Sequence, residues 1–425
     1  MTTPARLLAH GVGSQHDLPL SPFYAYAGAF AALFVSFLAL GLLWSSSRFR
    51  GDRAGRPLPA AVQRLADAPA TRTALRLVGA GAGLAVLLHL LLGPDDPDRN
   101  PAPGAVYVLL WVGLVPASLL LGPVWRLLNP LRTLHALLPA VRAPRPVPAG
   151  LGIRPAAAGL LLFAWLELAA PDPASTTTLL AFLAVLTATG LLGAARHGPD
   201  WFAHADPFEA YSSLLARLSP LGRRADGRLV LRSPFDGLDS TPQTPGLVAT
   251  VCVLLGSTAY DGISDNPRWV TTLQTSALGP TLTATLGLLA AVALVAVLYA
   301  LCAGTLRLMS RTLARPLTSF AHSLLPIALG YLVAHYFTLF VTEGSRTVMM
   351  AAGTDNAAAP APPLSPGGLA TLQVAAIVTG HVLGVVAAHD RSVRLFPPAR
   401  AVAGQLPLFA LMIAYTLGGI GLLIA

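Results

Sequence analysis

Leu278-Gly-Pro-Thr-Leu-Thr-Ala-Thr-Leu-Gly-Leu-Leu-Ala-Ala-Val-Ala-Leu-Val-Ala-Val-Leu-Tyr-Ala-Leu301 runs for 24 residues without a charged side chain. As a helix it would be about 36 Å long, enough to cross a hydrocarbon core of roughly 30 Å. Arg307, Arg311 and Arg315 follow it closely. An apolar run ended by arginines is the unit from which the rest of the chain is built. Phe23 to Trp44 is a second such run, followed by Arg48, Arg50, Arg53 and Arg56. Applying the same length criterion throughout gives about ten expected spans, at 22–44, 74–92, 105–124, 155–170, 176–195, 245–260, 278–301, 317–341, 369–389 and 405–424. The fourth and sixth are the shortest. The expected fold is therefore an all-α polytopic membrane helix bundle, a single transmembrane domain over residues 1–425.

Charge tests this division. The chain has no lysine, so its 28 basic side chains are all arginine. Twenty-four of them fall in alternate inter-span stretches: 48–76, 126–154, 196–232, 307–315 and 391–400. Arg6, Arg99, Arg268 and Arg346 fall in the others, together with 10 of the 19 acidic residues. Loops that stay in the cytoplasm hold the excess of basic residues, so the split predicts an arginine-rich inner side. Both termini then face outward, with 1–21 an extracytoplasmic segment and 196–244 a cytoplasmic loop. The nine residues before His10 are too few for a secretory signal.

Composition agrees. The chain is 54% hydrophobic and 11% charged, against about 25% charged in a soluble domain, and its mean hydropathy is +0.64. A pI near 10.2 alone could suggest nucleic acid. The basic residues sit between membrane-length apolar runs, so the expected partner is the lipid bilayer, with anionic headgroups near the arginines, and not nucleic acid. Cys252 and Cys302 both lie in apolar runs, which argues against a disulfide framework or a thiolate metal site.

Two of the arginine-rich loops share a phrase. Asn129-Pro130-Leu131 is followed by Leu134, Leu137 and Leu138, and Asp206-Pro207-Phe208 by Tyr211, Leu214 and Leu215. Asn or Asp caps a helix, proline suits its first position, and the spacing makes one apolar face. Each phrase predicts a short amphipathic helix at the inner interface. Either every such helix needs this pattern, or a two-span unit is duplicated. Pro316-Leu317 with Phe320 and Leu324 is a weaker third copy. The run 225–232 carries a turn signal and alternation, which predicts a small strand or hairpin.

No P-loop, Rossmann, HExxH or GxSxG pattern is present. The candidates for chemistry are polar groups inside the apolar runs, where they are costly and default to functional roles. His335 lies in the eighth span, about 10 Å from its outer end, and His381 in the ninth, about 18 Å deep. These two could bind a divalent metal or, less favoured, haem, or could relay protons; the alternative is helix–helix hydrogen bonding. His389, beside Asp390 and Arg391, belongs to a separate inner site. His89 is expected to be structural. A second group lies toward the outer side: His10, His16, Asp17, Glu167, Tyr260, Asp261, Asp265 and Glu343. Histidines with carboxylates can hold a metal that activates water, or form an ordinary acidic surface. Glu167, embedded in Phe163-Ala-Trp-Leu-Glu-Leu168, should have a partner.

Val124-Trp-Arg-Leu-Leu-Asn-Pro130, Phe208-Glu-Ala-Tyr211, Leu214-Leu-Ala-Arg-Leu-Ser-Pro220, Asp226-Gly-Arg-Leu-Val-Leu-Arg232, Ala334-His-Tyr-Phe337, Gly380-His381 and Ala388-His-Asp-Arg391 together resemble an actinobacterial family of multi-pass membrane proteins commonly labelled fenitrothion hydrolase. The resemblance extends from Ala9-His10-Gly11 to Tyr415-Thr-Leu-Gly-Gly419. It implies a bacterial plasma-membrane protein that hydrolyses an organophosphorus ester. Three expectations follow. The first is a metal-dependent hydrolase with His335 and His381 as metal ligands and Glu167 and Asp261 as catalytic carboxylates. The second is a permease for a metal ion or small solute lined by the same residues. The third is a haem-binding membrane component with the two histidines as axial ligands. Substrate identity and protein partners are not legible at this level.

Overall fold

The computed structural model describes residues 22–139, 144–309, 315–354 and 358–424. In chain order its elements are α1 (Pro22–Leu43), β1 (Arg56–Pro57), α2 (Ala60–Asp67) and α3 (Pro69–Leu92). Next come α4 (Ala102–Leu121), α5 (Trp125–Leu128), α6 (Pro130–Leu137), α7 (Arg154–Leu168), α8 (Thr176–His197) and α9 (Trp201–Ala205). They are followed by α10 (Pro207–Leu215), β2 (Leu221–Arg223), β3 (Leu229–Leu231), α11 (Pro234–Asp239), α12 (Leu247–Ser264) and α13 (Pro267–Thr275). The chain ends with α14 (Pro280–Met309), α15 (Pro316–Phe320), α16 (Leu325–Ala351), α17 (Pro366–Leu395), α18 (Pro398–Ala401) and α19 (Leu406–Ile424). The protein is an all-α polytopic bundle. Among the described residues, nine helical stretches are long and apolar enough to cross a membrane. The fourth expected span is α7, whose 15 residues reach only about 22 Å.

Burial sorts the helices into two layers. The most apolar windows of α3, α14, α1 and α8 are only 11%, 17%, 22% and 22% buried, while that of α12 is 72% buried. Leu42, Leu92 and Leu192 point outward with three quarters or so of their surface free. Apolar surface on this scale is stable only against lipid. The inner layer is α4, α7, α10, α12 and α16, and it holds the polar residues discussed below.

The most extensive helix pair is α16 with α17, and glycine makes it possible. A Cβ added at Gly380 would lie 2.5 Å from the Pro326 carbonyl oxygen, and one at Gly384 2.7 Å from that of Ser323. Small residues four apart let two backbones meet, which replaces the missing hydrophobic drive between helices in lipid.

At the arginine-rich end a small antiparallel sheet of order β1-β3-β2 ties residues 56–57 to 221–231. Arg56 pairs with Leu231, and Leu221 with Leu231 from the other side. The expected hairpin is the β2–β3 turn, where Gly227 takes φ +81°. Ion pairs respect the charge division of the sequence. Arg72–Asp67, Arg132–Glu209, Arg217–Asp52, Arg232–Asp52, Arg223–Asp67, Arg391–Asp239 and Arg394–Asp390 join members of one set. Arg346 pairs with Asp98 and Glu343 in the other.

The two shared phrases start helices as expected. The Asn129 side chain accepts from the backbone N–H groups of Leu131 and Arg132, the Asp206 side chain from that of Glu209, and a proline follows each cap. The phrases also bind each other. Asn129 Nδ2 donates to Asp206 Oδ2 at 2.8 Å, and Arg132 grips Glu209 with Nε and Nη2 at 2.7 and 2.8 Å. Both pairs are 77 positions apart. Like thus faces like, as at a twofold axis. The preceding turns match too: Gly122-Pro-Val-Trp125 and Gly198-Pro-Asp-Trp201 open on glycines at φ +81° and +77°. These features favour duplication of a two-helix unit.

One expectation fails here. The helix α6 lies as foreseen, with Leu134 and Leu137 exposed. By contrast α10 is not an interfacial helix: Pro207 to Ser212, Leu214 and Leu215 are all buried. Its apolar face rests on α7, and α4 covers its other side. An amphipathic pattern fixes the faces of a helix but not what covers the polar one.

Because equivalent positions face each other, the Arg132–Glu209 pair should tolerate reversal. Arg132→Glu or Glu209→Arg alone should lower detergent-unfolding stability by about 3–5 kcal/mol, as expected when one partner of a buried pair is removed. The double reversal should recover most of that loss; additive losses would refute the reading.

Candidate functional site: a buried carboxylate pair

Asp261 sits near the end of α12 with 3% of its surface exposed. Two consecutive residues of α16 reach it. His335 Nε2 lies 2.6 Å from Asp261 Oδ2, and Tyr336 Oη donates to the same oxygen at 2.9 Å. The His335 ring stands edge-on to that of Tyr336, centroids 4.7 Å apart. Glu167, in the last turn of α7, is 4% exposed. It lies within electrostatic reach of Asp261 and of the phenols of Tyr107, Tyr211 and Tyr336.

The aromatic wall comes from α4. Residues Ala105–Val112 form a π-helical stretch, a winding often found at functional sites. It presents Tyr107, whose Oη donates to the Pro173 carbonyl at 2.7 Å. It also presents Trp111, whose ring stacks on Tyr211 of α10 at 4.4 Å. Trp111 lies against the Tyr336 phenol, while Tyr211 Oη is buried without a protein hydrogen-bond partner. An unpaired buried donor costs about 1–3 kcal/mol, so Tyr211 marks the site as polar in purpose rather than in passing.

Three of the four sequence candidates therefore converge, and the fourth does not join them. His381, fully buried on α17, has different neighbours from His335. Its Nδ1 lies 2.9 Å from the Ile377 carbonyl oxygen, one turn back on its own helix. A carbonyl only accepts, so Nδ1 carries the hydrogen and Nε2 keeps a lone pair with no protein partner. Tyr331 and Tyr415 flank the ring at 5.7 and 6.3 Å. Those tyrosines bond the Tyr415 and Leu255 carbonyls, so this layer ties helices together. Among the described residues, no three His, Cys, Asp or Glu side chains converge as a metal-ligand set. His10, His16 and Asp17 lie outside the described residues. Glu343 is taken by Arg346.

Of the other two histidines singled out in the sequence, His389 sits apart at the inner end, and His89 is structural as expected. His389 Nε2 meets the Trp44 carbonyl at 2.9 Å. Beside it Asp390 accepts from Trp44 Nε1, Ser47 Oγ, the Arg48 backbone N–H and Arg394 Nη2, which knots α17 to the chain after α1. His89 bonds the Ala85 carbonyl of its own lipid-facing helix.

Sequence reasoning missed the aromatic shell. Tyr336 was adjacent to His335 and Tyr211 lay in the Asp206 phrase, but nothing in either pattern shows that they meet. It also missed how deeply Asp206 is buried. Asp206 accepts from Trp125 Nε1 at 3.2 Å, from Asn129 Nδ2 and from the Glu209 N–H. Burial nonetheless pushes its carboxyl up to about 6.

No family model, curated protein or solved structure matches the chain.

The Asp206 shift has a sign. An unfolded aspartate titrates near 3.9, so between about pH 4 and pH 6 the folded protein holds a proton that the unfolded one has lost. Stability contributed by this residue is full at the acid end and falls as pH rises through that window, by up to about 3 kcal/mol. Measured against Asp206→Asn, the wild type should lose relative stability from pH 4 to 6; a difference independent of pH would contradict this.

Proposed function

We propose that the protein is a membrane permease exchanging protons for a cationic solute, a metal ion or a small organic cation, at the Glu167–Asp261 pair. The observation that carries this reading is two buried carboxylates on different helices, close enough to act on one another, with a histidine and a phenol on one of them. In a site that excludes water, two neighbouring carboxylates cannot both stay ionised without a counter-charge. A proton or a cation between them serves, and each displaces the other. That is the competition on which coupled exchange rests. His335 can take or return a proton beside Asp261, and Tyr336 holds the acceptor oxygen in place. The surrounding Trp and Tyr faces suit a cation. In this reading the arginine-rich end faces the cytoplasm of a bacterial plasma membrane, so the pair lies toward the outer half.

Proteoliposomes loaded with a pH dye test it. Gradients of Zn2+, Mn2+, K+ or choline would be imposed in turn. At least one should drive a proton counter-flow that Glu167→Gln removes. Flux no faster than in empty vesicles for all four, or flux kept by Glu167→Gln, would sink the proposal.

A second reading, organophosphoester hydrolysis, has one geometric support besides the resemblance: the Asp261–His335 contact has the form of a base held by its orienting carboxylate. A divalent metal there would have Asp261 and His335 as its first donors and would supply an activated water. Release of nitrophenol from an aryl phosphotriester, lost in Asp261→Asn, would favour it over exchange.

A further inference from the structure

The α10 helix carries a polar face through the interior. Asp206, Glu209 and Ser212 follow one another three residues apart, at 5%, 3% and 0% exposure, and Tyr211 beside them is fully buried. Polar side chains at this depth normally face a protein seam or a water-filled path. The face is continued by neighbours. Ser212 Oγ and Ser118 Oγ of α4 are 2.8 Å apart, and the Trp125 N–H approaches Ser212 Oγ at 3.4 Å. Below, Trp125, Asn129 and Arg132 bind Asp206 and Glu209.

Packing sets the level this face reaches. A Cβ at Gly159 would lie 3.1 Å from the Pro207 ring, so α7 and α10 touch there. One turn on, Phe163 and Phe208 rings meet at 5.2 Å. One turn further, Glu167 and Tyr211 stand at the same level, within electrostatic reach. The two helices therefore run side by side from the arginine-rich end to the carboxylate pair.

We propose that Asp206 and Ser212 of the polar face of α10, held in place by the Arg132–Glu209 pair, with Ser118 opposite and Tyr211 on the adjoining face, form the route by which protons pass between the arginine-rich end and Glu167. This deepens the exchange reading and rests on it. The proton count balances without a co-reactant: one proton is accepted by a Glu167 carboxylate oxygen as one leaves the aqueous phase, and hydroxyls along the route give one up as they take one. Tyr211 Oη, buried and without a protein hydrogen-bond partner, is a phenol within electrostatic reach of Glu167 that is free to hand on a proton, with water as the proposed carrier between side chains. Asp206 is suited to the other end: it lies among the Trp125, Asn129 and Glu209 donors beneath the arginine-rich end, and burial raises its carboxyl to about 6.

The test is stopped-flow proton uptake by the purified full chain, followed with an indicator dye after a pH jump. Wild type should show a phase that Glu167→Gln removes. Tyr211→Phe should slow that phase roughly tenfold or more while total uptake is retained. Ser212→Ala should slow it too, and keeps the test open should Tyr211→Phe fold poorly. Thr189→Ala, on the lipid-facing helix α8 and with its hydroxyl bonded only within its own helix, is the control. If wild type has no Glu167-dependent phase, the exchange reading falls and the route with it. If the phase exists and runs at the wild-type rate in both Tyr211→Phe and Ser212→Ala, the route alone is overturned.

Discussion

The ring of Pro207 rests on Gly159, and the rest of the site depends on that contact. A Cβ at 159 would lie 3.1 Å from that ring, so a side chain there would push α10 and α7 apart by a few tenths of an ångström. Because it lies there, the phrase after the fifth expected span turns into the bundle instead of along its surface. Phe208 then packs on Phe163, Tyr211 stacks on Trp111, and Asp206 and Glu209 are carried below the surface with the partners they need. Non-spanning backbone at this depth is tolerated because it is enclosed by protein, with the Glu209 N–H of its first turn capped by Asp206.

That enclosure sets the electrostatics. In water, Glu167 and Asp261 would barely notice each other; in a dry interior the same separation is worth several times more. The pair at the α7–α12 boundary and the Arg132–Glu209 pair at the repeat seam solve the problem in opposite ways. At the seam a bidentate arginine supplies the counter-charge permanently. At the carboxylate pair the described partners of Asp261 are His335 and Tyr336, and in the proposed reading the counter-charge there is exchangeable. A fixed pair holds a structure together, while an exchangeable one can do work.

Much of this was legible in the sequence, for reasons that can be named. Apolar length and arginine spacing gave the all-α membrane bundle, because a bilayer imposes one length scale on every crossing. The same reasoning named Glu167, Asp261 and His335, because an ionisable group in an apolar run stands out whatever surrounds it. It could not tell that His335 meets Asp261 while His381 turns to Tyr331 and Tyr415. Both histidines lie mid-helix, and which way each faces follows from how α16 and α17 pack, which their pattern does not carry. The shared Asn-Pro and Asp-Pro phrases were visible, yet their mutual pairing was not, since an offset of 77 residues says nothing about contact. The burial of α10 was misjudged because its pattern is the one a surface helix would have.

The central claim is that Glu167 and Asp261 together carry one exchangeable counter-charge. Difference infrared spectra of protein labelled with 13C-carboxyl glutamate, taken between acid and alkaline pH, test it most directly. The account predicts a protonated-acid carbonyl band that shifts with the label, disappears on deprotonation and is missing in Glu167→Gln. Spectra with no label-sensitive acid band down to the pH at which the protein unfolds, from protein labelled on glutamate and on aspartate in turn, would show both carboxylates ionised throughout, and would contradict it.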